Sequence, residues 1–199
     1  MRCNKNTPKL VIEKFVNQKQ KWIDEKVSVI RGKIETKNDW KIELGSLLLF
    51  MGKEYSIITK EGKNVGFDGQ NFYIPPQLDA SHIQSYIIDV YKNLAKKVIV
   101  DKVKKYADIM SVTPLNVKIN SAKTRWGSCS SKNSLNFSFL LIMAEESVID
   151  YVVVHELAHI IEHNHSKRFW KIVANVFPDY RAKKEKLKAL QDKLSNEDW

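Results

Sequence analysis

Four of the chain's five histidines fall within eleven residues: His155, His159, His163 and His165. The first two bracket His155-Glu156-Leu157-Ala158-His159, an HExxH sequence. On a helix, positions i and i+4 lie on nearly the same face, one turn apart, so both imidazoles can reach one zinc ion. Glu156 follows the first ligand directly and can touch a metal-bound water without itself binding the metal. Zinc lowers the pKa of such a water towards neutrality and polarises a carbonyl. A carboxylate beside it can take the water's proton and pass it to a leaving amine. This is the apparatus of metal-assisted amide hydrolysis, with Glu156 as general base and then acid.

A catalytic zinc wants a third protein ligand. His163 continues the i+4 series, but on an unbroken helix it stands about 12 Å from His155. One ion cannot take both, so the chain must turn first. Asn164 tolerates a left-handed turn, and Ser166 can start a new helix. His165 then projects from the bend, six residues after His159. That offset matches the third ligand of the metzincin pattern, with Glu162 in place of its glycine. His165 is the expected third ligand, and His163 a surface histidine. The rival is Glu185 on the last helix, as in zincins that use glutamate.

The elements that must hold these groups can be read from pattern. Residues 148–161 are nearly all apolar, the mark of a helix buried on most sides. Buried histidines and a buried glutamate need partners, and a metal satisfies all three at once. Ser147 with Asp150 should cap this helix, which runs to about Glu162. Ser166 should cap the next, ending before Pro178, and a last amphipathic helix covers about 180–194. Upstream, residues 9–27 read as a helix. From Arg31 to Pro76, glycines punctuate short β-leaning runs, and Asp68-Gly69 is a two-residue hairpin signal. Ser81 with Gln84 forms a capping box before a helical run whose register shifts after Val98, which predicts a break before Tyr106. Pro114 excludes helix and opens a strand at 115–119. Residues 124–129 and 134–141 read as strands around a Ser-Ser-Lys-Asn turn. The expected organisation is an N-terminal helix and hairpin region, 1–78, followed by a metal-binding domain, 79–199.

The 199 residues are 43% hydrophobic and 28% charged, which suits a globular chain and argues against a disordered or fibrous one. No apolar run approaches a bilayer-crossing length; 138–144, one of the longest, is far too short. The first residues are polar and lysine-rich, without a signal-peptide core. Cys3 and Cys129 make no CxxC pair. Together these point to a soluble, cytoplasmic protein with no membrane association. The net charge of +10 is unevenly placed: residues 92–132 carry +8, whereas 133–199 carry −1. A basic balance permits an anionic partner without identifying one.

Arg125-Trp126-Gly127-Ser128-Cys129-Ser130, then residues 150–159 with the HExxH sequence, then Asn164-His165-Ser166 and Phe169-Trp170, closely resemble the YgjP-like metallopeptidase domain. That family is related to the SprT-like and other zincin peptidases. The likeness covers roughly residues 9–194 and is strongest over 123–180. It implies an α+β, zincin-like fold: a small antiparallel sheet packed on a buried metal-binding helix, with flanking helices. It also implies His155, His159 and His165 as zinc ligands and Glu156 as the catalytic acid/base. The chain departs from the family at its start, where further strands are expected before the first helix.

In zincins an edge strand runs beside the metal, and an extended peptide can pair with it. Gly127 would allow close backbone approach there. Arg125 can hold a substrate carboxylate, brace the loop, or sit in an internal salt bridge. Cys129 reads as a small buried side chain, and Trp126 as core. Phe169 and Trp170 should lock the bend that presents His165. Tyr180 can donate to the oxyanion or simply pack. The leading function is therefore a zinc-dependent peptidase acting on polypeptides. The alternative is a basic nucleic-acid-associated protein, binding through 92–132, with zinc in a structural or weakly active site.

Overall fold

The computed structural model describes residue 4 and residues 7–199, the side chains of 33–39 excepted. Cys3 lies outside the described residues. Two compact units divide the chain: one holds the first helix with residues 193–198, the other Lys41–Asp192 with Trp199. This division falls at residue 40, whereas the sequence reading placed one at 78. Backbone hydrogen bonds cross residue 78, from Met51 N to Ile142 O (2.8 Å) and from Gly52 N to Met143 O (3.2 Å). Among the described residues, no helix is long and apolar enough to cross a membrane.

The first unit is built on helix α1, Lys9–Asp39. It runs twelve residues past the expected end at 27. The apolar contacts that defined the expected helix thin out after residue 23, but the helical backbone continues through Gly32. Glycine costs only about 1 kcal/mol in a helix interior, and no proline interrupts the segment. The β-leaning texture expected from Arg31 therefore begins only at Leu47.

The second unit opens with a four-stranded sheet in the order β1-β2-β4-β3: β1 Leu47–Phe50, β2 Lys53–Thr59, β3 Gly66–Phe67, β4 Phe72–Ile74. The β1–β2 turn is Met51-Gly52, both at positive φ (50° and 78°), as a two-residue hairpin turn requires. The Asp68-Gly69 hairpin is present, but its loop has four residues. Phe67 pairs with Phe72, and Asp68 Oδ1 accepts from Gln70 N and Asn71 N.

Helix α2, Ile83–Met110, is unbroken, against the expected break before Tyr106. Its buried residues step by four: Ile83, Ile87, Tyr91, Ala95, Ile99, Val103. Each such step drifts about 40° around the helix. The buried stripe therefore winds from one partner to the next, and the shifting register records that winding. The short 3-10 turn Ala80–His82 before α2 is capped by Asp79, whose side chain accepts from Ser81 N. The expected Ser81 box thus gives way to an aspartate two residues earlier.

A second sheet has the order β5-β7-β6, with β5 Asn116–Asn120, β6 Gly127–Cys129 and β7 Ser134–Ser138. The α+β class expected from sequence holds, but this sheet is mixed. β6 pairs antiparallel with β7, and β5 pairs parallel with it. The chain leaves β5, crosses to the far edge as β6, and returns by its tight turn to the middle. The strand that closes the hairpin must then run in the direction of β5. Helix α3, Glu146–Ile161, packs on β6 and α2 and buries Val148, Ile149, Val152–Val154, Leu157 and Ala158. Glu145 stands at its N-cap position without a side-chain capping bond; Asp150 does not reach back to Ser147 but meets Lys102 of α2 at 2.6 Å. Helices α4, Lys167–Val176, and α5, Tyr180–Leu194, follow where expected, and Ser166 Oγ accepts from Phe169 N at the start of α4.

Candidate metal centre

His155 and His159 lie one turn apart on α3, and the helix ends two residues later. Glu162 is extended (φ −140°, ψ 107°) and turns the chain out of the helix. Asn164 does not adopt the left-handed conformation expected of it; the positive-φ non-glycine residues described are Met51, Ser111 and Asn133. The turn continues through Ser166 N bonding to Asn164 O (2.7 Å). This brings His165 back over the helix face. One nitrogen from each of His155, His159 and His165 lies within 4.8 Å of the others. His155 Nε2 and His165 Nε2 are 3.0 Å apart.

The bend is locked by rings. Phe169 is fully buried, and its ring centroid lies 4.9, 4.5 and 4.8 Å from those of His155, His159 and His165. Trp170 stacks on His165 at 5.7 Å and 26°. The role expected for these two aromatics in presenting His165 is thus visible as direct contact.

The proton positions follow from the partners. His159 Nδ1 lies 3.2 Å from the Glu162 carbonyl oxygen. A carbonyl only accepts, so Nδ1 carries the proton and Nε2 keeps its lone pair. The residue that ends the helix therefore also sets the tautomer of the second histidine. Burial, with His159, His165 and Lys184 nearby, pushes His155 down to about 3, so its ring is neutral. His155 Nδ1 is buried and has no hydrogen-bond partner.

Tetrahedral nitrogens at about 2.0–2.1 Å from one zinc stand about 3.3 Å apart. The separations here bracket that figure. The donor set of three imidazoles, two held neutral or correctly protonated by their surroundings, fits a borderline-soft divalent ion.

Glu156 points from the same turn but is buried, 6% exposed. Burial pushes its carboxyl up to about 7, opposed by the charge of Arg125. A carboxyl poised near neutrality can exchange protons in both directions. The site residues expected from the RWGSC run gather around it. Gly127 packs directly against the Glu156 side chain. Arg125 is exposed and forms no ion pair among the described residues, so the internal salt bridge considered for it is not present. Cys129 is half-buried; burial, then the Glu156 charge, raises its thiol above the ordinary value.

Two further residues weighed for the site, Tyr180 and Glu185, are not among the three converging donors. Tyr180 stacks on Trp170 at 5.0 Å and 17°, and Trp170 in turn stacks on His165. Glu185 lines a surface cleft with Trp170, Tyr180, Arg181 and Lys184 and is not part of the converging donor set. His163 is exposed, as expected. Sequence reasoning missed Tyr151, whose ring meets His155 edge-on at 5.9 Å. Its position four residues before His155, on the same helix face, was the available signal.

Comparison with known proteins identifies the family. The profile of the YgjP-like, metallopeptidase domain matches residues 1–190. Among curated proteins no sequence matches. Among solved structures, the metallopeptidase zymogen abylysin of Pyrococcus abyssi is 28% identical, over 48% of this chain and 94% of its own, with a TM-score of 0.42. The metallopeptidase zymogen jannalysin of Methanocaldococcus jannaschii is 25% identical, over 47% and 95%, with a TM-score of 0.41.

Proposed function

The chain belongs to the YgjP-like metallopeptidase family, and from that premise we propose that it hydrolyses peptide bonds with zinc held by His155, His159 and His165 and with Glu156 as acid/base. The observation that carries this reading is the convergence of three imidazole nitrogens, within 4.8 Å, beside one buried carboxyl. Zinc held there supplies Lewis acidity and a water made acidic enough to lose its proton near neutral pH.

The chain's own residues do the rest. The Glu162 carbonyl orients His159, and Phe169 holds all three rings in register. Glu156 Oε1 or Oε2 takes the proton from the attacking water and returns it to the leaving amine. Its burial makes it basic enough for the first transfer, and Arg125 keeps it acidic enough for the second. The unpaired, exposed Arg125 is the group placed to meet a carboxylate of the polypeptide substrate. β6, at the edge of its sheet, offers backbone groups to an extended chain.

No specific observation favours the nucleic-acid alternative. Within the basic run, Lys102 is turned inward to Glu146 and Asp150, and the other helix lysines are spread around α2. The test is metal analysis of the purified chain together with a proteolysis assay, wild type against Glu156→Gln. Zinc in both with hydrolysis only in the wild type is the expected result. Full activity in Glu156→Gln would overturn the role of Glu156.

A further inference from the structure

Strand β6 crosses α3 at Glu156, and Gly127 is the residue at the crossing. A Cβ placed on Gly127 would stand 2.7 Å from Glu156 Cγ, 2.7 Å from its Oε1 and 2.8 Å from its Cδ. Carbon atoms in favourable contact sit about 3.5–4.0 Å apart. Three consecutive groups of the glutamate side chain therefore occupy the space that any side chain at 127 would need.

Glycine is often chosen for its backbone freedom, but that does not apply here. Gly127 is not among the positive-φ glycines, and it pairs in ordinary antiparallel register with Phe137. Its use is spatial. The backbones on both sides are fixed, so it is the Glu156 side chain that must give way. Phe137 is fully buried on the neighbouring strand, and Glu156 springs from a helix whose neighbours Val154, Leu157 and Ala158 are also fully buried. Close-packed interiors resist such shifts. Alternate residues of a strand share a face, and Cys129, two residues on in β6, continues this face half-buried. The carboxyl thus lies in a trough along this face, with Gly127 as its floor.

We propose that Gly127 is a positioning residue for Glu156: the missing side chain forms the socket that seats the carboxyl against β6 and fixes its depth beside the three imidazoles. This rests on the peptidase reading for its catalytic consequence and on geometry alone for the contact. A side chain at 127 would push the carboxyl off its line to the attacking water while leaving the histidines in place.

The test is Gly127→Ala, made in the wild-type chain and in Glu156→Ala, each loaded with zinc. In the wild-type background, Tm should fall by about 5 °C, as for an overpacked core position in a chain of this size. In Glu156→Ala the three colliding atoms are gone, and the same substitution should cost less than about 1 °C. Zinc content should match the wild type. In peptide hydrolysis, kcat should fall roughly 100-fold with KM changed less than about twofold, the signature of a misplaced group rather than lost binding.

Equal Tm losses in both backgrounds would make Gly127 a purely structural residue and overturn the proposal. So would wild-type kcat in Gly127→Ala. A Gly127→Ala chain that fails to fold, while the double variant folds, is the same coupling at its limit and supports it; failure of both counts against it. If the zinc-loaded wild type hydrolyses no peptide, the peptidase reading fails, while the Tm coupling still decides the contact.

Discussion

At the start of α3, Glu146 and Asp150 meet Lys102 of α2 at 2.8 and 2.6 Å. Little more than a turn later, His155 buries a ring nitrogen with no partner, and Glu156 buries a carboxyl with only the charge of Arg125 to answer it. Both ends of one helix carry polar groups into the interior. At the first end the chain supplies the counter-charge itself, which fixes α3 against α2. At the second end it supplies three converging imidazole nitrogens and, among the described residues, no hydrogen-bond partner for His155 Nδ1. A buried polar group costs free energy until it is paired. The first end spends its pairing on stability, and at the second the converging nitrogens, His155 Nε2 among them, are directed at one another rather than at a counter-charge.

The sharpest way to break this contrast is at the second end. His165→Ala removes one of three converging donors and should abolish both stoichiometric zinc and hydrolysis, read by metal analysis and a peptide assay. Zinc unchanged in that variant would redirect the third-ligand role to Glu185 or another group. Glu156→Gln should keep zinc and lose roughly a thousandfold in kcat, about 4 kcal/mol of barrier. Together the two variants separate holding the ion from moving the proton.

At the first end the expected outcome is the reverse. Lys102→Met leaves Asp150, only 14% exposed, without its counter-charge and with only the Tyr106 hydroxyl to meet it among the described residues. The loss should be about 2 kcal/mol, below the full value for a buried pair because Glu146 is mostly in solvent. That is a fall of about 6 °C in Tm, with zinc content and kcat of the folded enzyme unchanged. The pH dependence sharpens it. The hydrogen bond from Lys102, then its charge, holds the Glu146 carboxyl below its ordinary value of 4.5. A depressed carboxyl contributes stability above the unfolded value and loses it as pH falls through the folded one. The Tm gap between wild type and Lys102→Met should therefore be widest near neutral pH and shrink below 4.5.

The contrast also explains what the sequence made legible. The second end is written locally: His155, Glu156, His159 and His165 lie within eleven residues, and one bend after the helix brings them together. The apolar run around them announced a buried helix, and Ser166 announced the next. The anchoring end is written across the chain. Lys102 lies 44 and 48 residues from its partners. It therefore read as one lysine in a basic run, and Asp150 read as half of a local capping box. The same distance hid the contact between Gly127 and Glu156, for which only the glycine's presence in a strand gave a hint. The parallel pairing of β5 with β7 was hidden too, because periodicity reports which face is buried and not which strand lies alongside. α1 was underestimated because the change of texture at Arg31 carried no proline to end a helix.

The smallest expected effect lies at the bend between the two helices. Ser166 Oγ accepts from Phe169 N at 3.3 Å, which caps α4 next to His165. Ser166→Ala should cost about 1 kcal/mol, or about 3 °C in Tm. Zinc affinity should fall by less than about tenfold, because Phe169 and Trp170 still clamp the His165 ring from two sides. A loss as deep as that of His165→Ala would mean that the cap, and not the aromatic packing, holds the third imidazole in place. The boundary between the two kinds of polar burial would then move: the serine hydroxyl, exposed and one residue outside the donor set, would belong to the ion's holding machinery rather than to the helix it begins.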